Sequence, residues 1–208
     1  GICPLYYTKA DGVIHFCSEL KALVLSLPKS WHIDYSAIDQ FFALGNVVAP
    51  RTLVEGVASV QPGCAVRIDL SGTKNIRYWR YGDFSVCETA PNSEILQLSL
   101  RRSISSRLNS DTEIGAYLSG GFDSTVILTE ATALAKSRMR SFSIVFDDRA
   151  LDEGPFQRQV AERVGSIHQE VRCSREDIAD RFEEMVRHCC FPQRETYNVA
   201  ALLLSENV

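Results

Sequence analysis

No apolar run in this sequence approaches the ~20 residues that a membrane-spanning helix needs, and the N-terminus lacks the charged start and apolar stretch of a secretory signal. A cytoplasmic protein without membrane partners is therefore expected. Basic charge is scarce as well. Lys and Arg number 22 against 26 Asp and Glu, a formal net charge of -4, which leaves no surplus to neutralise nucleic-acid phosphates or anionic lipid. Bulk electrostatics favour a small-molecule substrate and no nucleic acid. The seven cysteines (Cys3, Cys17, Cys64, Cys87, Cys173, Cys189, Cys190) are odd in number and lack the spacing of a disulfide scaffold. They read as reduced thiols. Cys189 and Cys190 beside His188 invite a metal, but no second cluster with zinc spacing completes a tetrahedral site. Internal repeats and low-complexity tracts are missing. So are GxxxxGK[ST] and GxGxxG, which removes support from γ-phosphoryl transfer and from dinucleotide binding.

What is present is an ordinary globular composition, 45% hydrophobic and 23% charged over 208 residues, enough for one large domain or two modest ones. Two patterns divide the chain. From Leu5 to about Tyr81 short strands and turns predominate. Leu5 to Thr8 and Val13 to Cys17 form a predicted hairpin across Asp11-Gly12, a pair suited to the positive backbone angles of tight turns. Ser18 is the expected cap of a helix carrying Leu20, Leu23, Val24 and Leu27 and stopped by Pro28. Asp34 is expected to cap a second helix whose Ile38, Phe41, Phe42 and Leu44 face inward and which ends at Gly45. Pro62-Gly63 and Ser71-Gly72 mark turns between antiparallel strands, Ala65 to Leu70 and Ile76 to Trp79.

Periodicity lapses over Gly82 to Ser93. Helices and strands then alternate: a helix to Asn109, strand Ile114 to Leu118, helix Ser124 to Ala135, strand Arg140 to Phe146, helix Asp152 to Val164 and strand Ile167 to Val171. Two amphipathic helices follow, over Ser174 to Cys189 and Thr196 to Ser205. Such alternation builds a parallel sheet with helices on its faces. The expected organisation is an α+β region over 1–82, a linker over 83–92 and an α/β parallel-sheet domain over 93–208.

Ser119-Gly120-Gly121-Phe122-Asp123-Ser124 lies where the strand ending at Leu118 passes into the helix opened by Thr125, Val126, Ile127 and Leu128. A helix start exposes backbone N–H groups and the positive end of its dipole, which together hold an anion. Adjacent glycines let the main chain turn and approach phosphate oxygens, and Ser119 and Ser124 supply hydroxyls. Each donor to a charged oxygen contributes roughly 1.5 to 3 kcal/mol, so three or four make a micromolar site. A carboxylate among phosphates would repel them. Asp123 is therefore read as the ligand of a magnesium ion that neutralises pyrophosphate. The alternative is a Gly-Gly turn with Asp123 capping the helix.

The loop resembles the SGGxDS loop of the ATP pyrophosphatases. Beyond it, Ser141-Phe142-Ser143-Ile144-Val145-Phe146, Leu151-Asp152-Glu153, Val160-Ala161-Glu162 and Gly165-Ser166-Ile167-His168 follow in an order similar to that of the glutamine-dependent asparagine synthetases. Gly1-Ile2-Cys3-Pro4-Leu5-Tyr6-Tyr7, Cys17-Ser18-Glu19-Leu20-Lys21-Ala22-Leu23 and Gln61-Pro62-Gly63 resemble the closing part of that family's glutaminase domain, of the N-terminal-nucleophile kind.

The resemblance implies a parent that converts aspartate and ATP to β-aspartyl-AMP, which ammonia released from glutamine then attacks. It puts Leu118 and Ile144 at the adenosine by main chain, Ser119, Gly120, Gly121 and Ser124 around the phosphates, and Asp123 at magnesium and pyrophosphate. ATP and Mg2+ are the implied cofactors, aspartate and glutamine the other substrates, and a homodimer is left open. Related readings are a β-lactam synthetase-like or peptide-cyclising homologue; a reading of another class is a non-catalytic nucleotide-binding module.

The family's nucleophilic N-terminal cysteine stands against Gly1 here, and Cys3 occupies a position where the family often has lysine. The LSGxGxDE-like second nucleotide motif is matched only superficially by Leu204-Ser205-Glu206. The chain is thus expected to be a fragment with no catalytic residue of its own, inactive alone in glutamine hydrolysis and asparagine formation. Asp152 and Glu153 are read as helix caps, His168 as a structural partner, Trp31 and Trp79 as core or interface, and Arg101, Arg102 and Arg107 as a solvated helix face. His15 and His32 have no constellation around them.

Overall fold

The computed structural model describes residues 3–28, 30–83, 92–148 and 150–208. They fall into two compact units, one drawn from 1–86 and 186–194, the other from 87–185 and 195–208. The predicted linker lies almost wholly outside the described residues.

In the first unit β1 (Tyr6–Ala10) and β2 (Val13–Cys17) pair antiparallel through Asp11 and Gly12, both at positive φ (49° and 78°) as the Asp-Gly signal requires. Helix α1 (Leu20–Leu25) starts one residue later than expected. Its N-cap is Glu19 with no side-chain cap bond, so Ser18 is not the cap, and the helix stops before Leu27.

Asp34 does cap α2 (Tyr35–Leu44), accepting from the N–H groups of Ser36 and Ala37, and Gly45 closes it at φ 71°. The inward face of α2 differs from expectation: Ala37 is its buried residue, whereas Phe42 and Leu44 are exposed. Helical spacing gives a stripe, but what the stripe meets is decided by the rest of the fold.

The two-residue strand β3 (Ala58–Ser59), absent from the sequence reading, pairs with β1 to give the order β2-β1-β3. Tyr6, Leu20, Leu23, Val24, Val54 and Val57 form the core of this unit, with Phe191 packed on it. A separate antiparallel pair, β4 (Cys64–Asp69) and β5 (Gly72–Arg77), turns at Ser71, whose N–H and hydroxyl both donate to Asp69 Oδ1. Gly63 is required where it stands, since a Cβ there would overlap the Trp79 carbonyl and its φ is 65°. Trp79 and Trp31 are both more than two-fifths exposed, so neither is core.

The second unit opens with α3 (Ser93–Arg107), capped by the Asn92 side chain on the Ile95 N–H. Then come β6 (Gly115–Tyr117), α4 (Phe122–Leu134), β7 (Arg140–Phe146), α5 (Gly154–Val164) and β8 (Ile167–Cys173), the predicted alternation. The strands form a parallel sheet in the order β6-β7-β8, with Ser141, Phe142 and Ser143 of the middle strand buried. Ile104, Leu118, Leu128, Ala131, Met139 and Ala161 make the core that joins α3, α4 and α5 to the sheet. Helices α6 (Arg175–Cys189) and α7 (Asn198–Ser205) follow, and α7 lies on β7 and β8. No helix among the described residues is long and apolar enough to cross a membrane.

Candidate functional site

The phosphate-loop expectation places the site at the carboxyl end of β6, and the chain there is firmly held. Leu118 is buried, its N–H donates to the Phe142 carbonyl at 2.8 Å and its own carbonyl accepts from Ser143 Oγ at 2.5 Å. Gly120 then turns the chain at φ 84°, and Gly121 (φ -75°, ψ 170°) is the N-cap of α4 without a side-chain cap. The first intrahelical bond runs from the Thr125 N–H to the Gly121 carbonyl at 3.1 Å, and Thr125 Oγ1 donates to the same oxygen at 2.7 Å. Among the described residues no acceptor meets the N–H groups of Phe122, Asp123 or Ser124. Free donors in the first turn, at the positive end of a helix dipole, are what an anion needs.

The two hydroxyls expected to point at phosphate are occupied with each other. Ser119 Oγ and Ser124 Oγ lie 2.9 Å apart, the Gly121 N–H donates to Ser119 Oγ at 3.3 Å, and Ser124 Oγ reaches the Gly121 carbonyl at 3.2 Å. The glycines also divide their roles. A Cβ on Gly120 would sit 3.2 Å from Phe156 Cβ and 3.3 Å from Gln157 Cγ and N, so this residue is needed for close packing on α5 as well as for its positive φ. Gly121 has an ordinary backbone, and the space beside it is open apart from Ser119 Oγ at 3.4 Å.

Asp123 is exposed in the first turn of α4, and its carboxylate has no recorded hydrogen bond or ion pair among the described residues. No group of three or more His, Cys, Asp or Glu that could hold a metal exists among the described residues. A lone free carboxylate next to free N–H groups fits a magnesium ion that takes most of its ligands from phosphate oxygens and water, as that ion commonly does. It does not fit a cage made by protein alone. The six described cysteines are free thiols.

Ile144 lies on β7 opposite Val171 of β8, and its carbonyl accepts from Gln157 Nε2 at 3.1 Å. The same nitrogen is 3.4 Å from the Ser119 carbonyl. Gln157 was not singled out by sequence reasoning. The available signal was positional: Gly154, Gln157 and Ala161 are the buried residues of α5, so a polar side chain stands in the apolar stripe.

The remaining candidates are structural. His168 Nδ1 is 2.9 Å from Ser141 Oγ, itself 2.8 Å from Ser166 Oγ, an interior polar cluster. Burial is the chief cause that lowers the pKa of His168, with Glu170 opposing. Its Nε2 has no hydrogen-bond partner among the described residues and stands 3.9 Å from Glu170 Oε1. Arg101 does more than face solvent, since its guanidinium lies 3.2 Å from Glu130 Oε2, joining α3 to α4; the pair has the distance of an ion contact without hydrogen-bond alignment. Arg107 donates to the Ser103 carbonyl at 3.0 Å. Asp152 accepts from the Gly154 N–H at 3.0 Å, but Glu153, the N-cap of α5, makes no side-chain cap.

The first unit carries an apolar cavity of about 450 Å³ lined by Leu20, Val24, Trp31, Ile38, Leu53 and Val186 among others. Its wall is mainly apolar, with Lys21 and Arg187 as its charged members.

Comparison with known proteins also divides the chain in two, although residues 186–194, which pack with the first unit, fall within the second match. A glutamine amidotransferase domain family matches residues 1–79, and an asparagine synthase family matches residues 96–208. Asparagine synthetase [glutamine-hydrolyzing] 1 of Bacillus subtilis is 27% identical over 190 residues, covering 90% of this chain and 30% of that protein. The putative asparagine synthetase [glutamine-hydrolyzing] 2 of Methanocaldococcus jannaschii is 28% identical over 195 residues, covering 89% and 36%. The amidase chyE of Penicillium rubens is 28% identical over 229 residues, covering 100% and 33%. The chain thus spans about a third of the length of these relatives. The match from residue 96 onward takes in β6, the loop, α4 and everything after them, more than half of the sequence, and by it the chain belongs to the asparagine synthase family.

Proposed function

We propose that the protein is a glutamine-hydrolysing asparagine synthase whose synthetase half begins in this chain. Residues 1–82 supply the later part of a type-2 glutamine amidotransferase domain, and 93–208 the first part of the ATP-pyrophosphatase domain. The observation that carries the reading is the start of α4, where three unpaired N–H groups and the free Asp123 carboxylate stand at the end of a parallel strand.

In the proposed reaction a carboxylate oxygen of aspartate attacks the α-phosphorus of ATP, the bond to the β-phosphate oxygen breaks, and pyrophosphate leaves. Ammonia then attacks the acyl carbon and AMP departs with the electron pair. The N–H groups of Phe122, Asp123 and Ser124 hold the phosphate oxygens whose charge rises as pyrophosphate leaves, a stabilisation that is strongest when the donors are fixed beforehand. Magnesium, when bound, neutralises that charge, and Asp123 is the residue that would hold it. The Leu118 N–H is committed to Phe142, so main-chain contact to adenosine at Leu118 falls to its carbonyl, which has a second lone pair beside the Ser143 bond, and Ile144 contributes from the facing main chain of β7.

Calorimetric titration tests the site. Mg–ATP binds this chain weakly, chelation of the metal abolishes binding, and Asp123→Ala weakens it at least tenfold. Equal affinities of the two proteins would remove Asp123 from the site.

A second reading is amide formation on another carboxylate, favoured by the amidase-named Penicillium relative that aligns with the whole chain. Pyrophosphate release by the protein at its full natural length decides between them. Stimulation by aspartate supports asparagine formation, and ATP turnover indifferent to aspartate supports the second reading.

A further inference from the structure

Gln157 is 97% buried beneath the loop, with 3% of its surface exposed, and its amide orientation is fixed by its surroundings. Nε2 faces two carbonyls, Ile144 at 3.1 Å and Ser119 at 3.4 Å, so turning the amide over would set oxygen against oxygen. In this orientation Oε1 is buried with no donor among the described residues. An amide kept in an apolar stripe with one end unmatched is kept for its other end.

That end joins the first residue of the phosphate loop to the carboxyl half of β7, one residue beyond the point where Ser143 Oγ already ties β7 to the Leu118 carbonyl. Gly120 completes the arrangement, because a Cβ there would press on Phe156 Cβ and on Gln157 Cγ and N at 3.2 to 3.3 Å and shift the loop or α5 by a few tenths of an ångström.

We infer that Gln157 is a positioning residue of the nucleotide site, a clamp that sets the spacing between the phosphate loop at Ser119 and the adenosine-side strand at Ile144. The inference rests on the nucleotide reading proposed above and deepens it. Gln157 itself touches no ligand. Its effect falls on ligands long enough to engage both segments at once. ATP needs the two at one fixed separation. Pyrophosphate uses the loop alone, adenosine the strand alone, and each tolerates a change in their spacing.

The test compares three ligands on the 208-residue chain and on two variants: Gln157→Met, which keeps length and loses the donors, and Gln157→Glu, which keeps shape and sets a carboxylate against the carbonyls. Titration with Mg–ATP, Mg–pyrophosphate and adenosine, by calorimetry or by chemical-shift perturbation for the weak fragments, gives the ratios. The expected result is a loss of at least tenfold for Mg–ATP in both variants, with each fragment within threefold of wild type.

Mg–ATP affinity unchanged within threefold, or a parallel fall for all three ligands, overturns the clamp and leaves Gln157 a purely structural residue. If Gln157→Met does not fold, judged by its far-ultraviolet spectrum, the Gln157→Glu ratios decide by the same criterion. Failure of the wild-type chain to bind Mg–ATP at all is a different result, which sinks the nucleotide site and the clamp with it.

Discussion

His168 shows how one side chain ties the sheet's interior to pH. Its imidazole meets Ser141 on β7, with Glu170 and Arg158 as the charged neighbours. Burial lowers its pKa below the ordinary 6.5, so the unfolded chain takes up the proton first as pH falls. The contribution of His168 is therefore complete above about pH 6.5 and is lost progressively below it, until the depressed folded-state value is passed. Urea midpoints measured at pH 7.5 and pH 5 should fall together with acid in the wild type, and the fall should shrink in His168→Gln. Equal falls in both would deny His168 this role.

The same residue marks a limit of sequence reading. A structural part for it was legible from its strand position, but its partner Ser141 stands on the neighbouring strand β7, and that contact, with the onward one from Ser141 to Ser166 just before β8, is seen only when the register is known. Gln157 escaped notice for a related reason: glutamine is common on exposed helix faces, and only the packing of α5 on the loop shows that this one is buried.

At the scale of elements, β7 and the cap of α2 were legible because their signals are local. A run of apolar and β-branched residues bounded by charged ones defines Arg140–Phe146, and an Asp followed by helical spacing defines the start at Asp34. The misread features depend on distant partners or on a single residue of offset: β3 exists because it pairs with β1, Phe42 is exposed because nothing described covers it, and α1 begins after Glu19 instead of Ser18.

The Asp34 cap has a measurable weight. Its carboxylate serves the N–H groups of Ser36 at 2.9 Å and Ala37 at 3.3 Å and also pairs with Arg51 at 3.0 Å. Asp34→Ala should destabilise the first unit by about 1 to 2 kcal/mol, nearly all from the cap, because partly exposed ion pairs add little. A urea titration followed by Trp31 and Trp79 fluorescence reads this directly, and no change in midpoint would show the cap to be dispensable.

On the scale of the whole molecule the division into two units predicts two events on heating, each with its own core. Only the second unit contains the loop. Mg–ATP at about 100 times its dissociation constant stabilises the state that binds it by roughly 2.7 kcal/mol. Scanning calorimetry should therefore show one transition moving upward with Mg–ATP while the other stays in place; a common shift of both would mean that the two units unfold as one.

The alternation of strand and helix from β6 to β8 was the most readable part of the sequence, since it announces a parallel sheet at low resolution. The state of the loop was the least readable, because the pairing of Ser119 with Ser124 is a matter of hydroxyl direction that no spacing encodes. That pairing has a consequence in time. Serine hydroxyls near a surface reorient in picoseconds to nanoseconds, far faster than any protein–ligand encounter. The loop can hold itself closed by its own hydrogen bonds and still be ready at every collision, so that discrimination among phosphates is exercised on departure rather than on arrival.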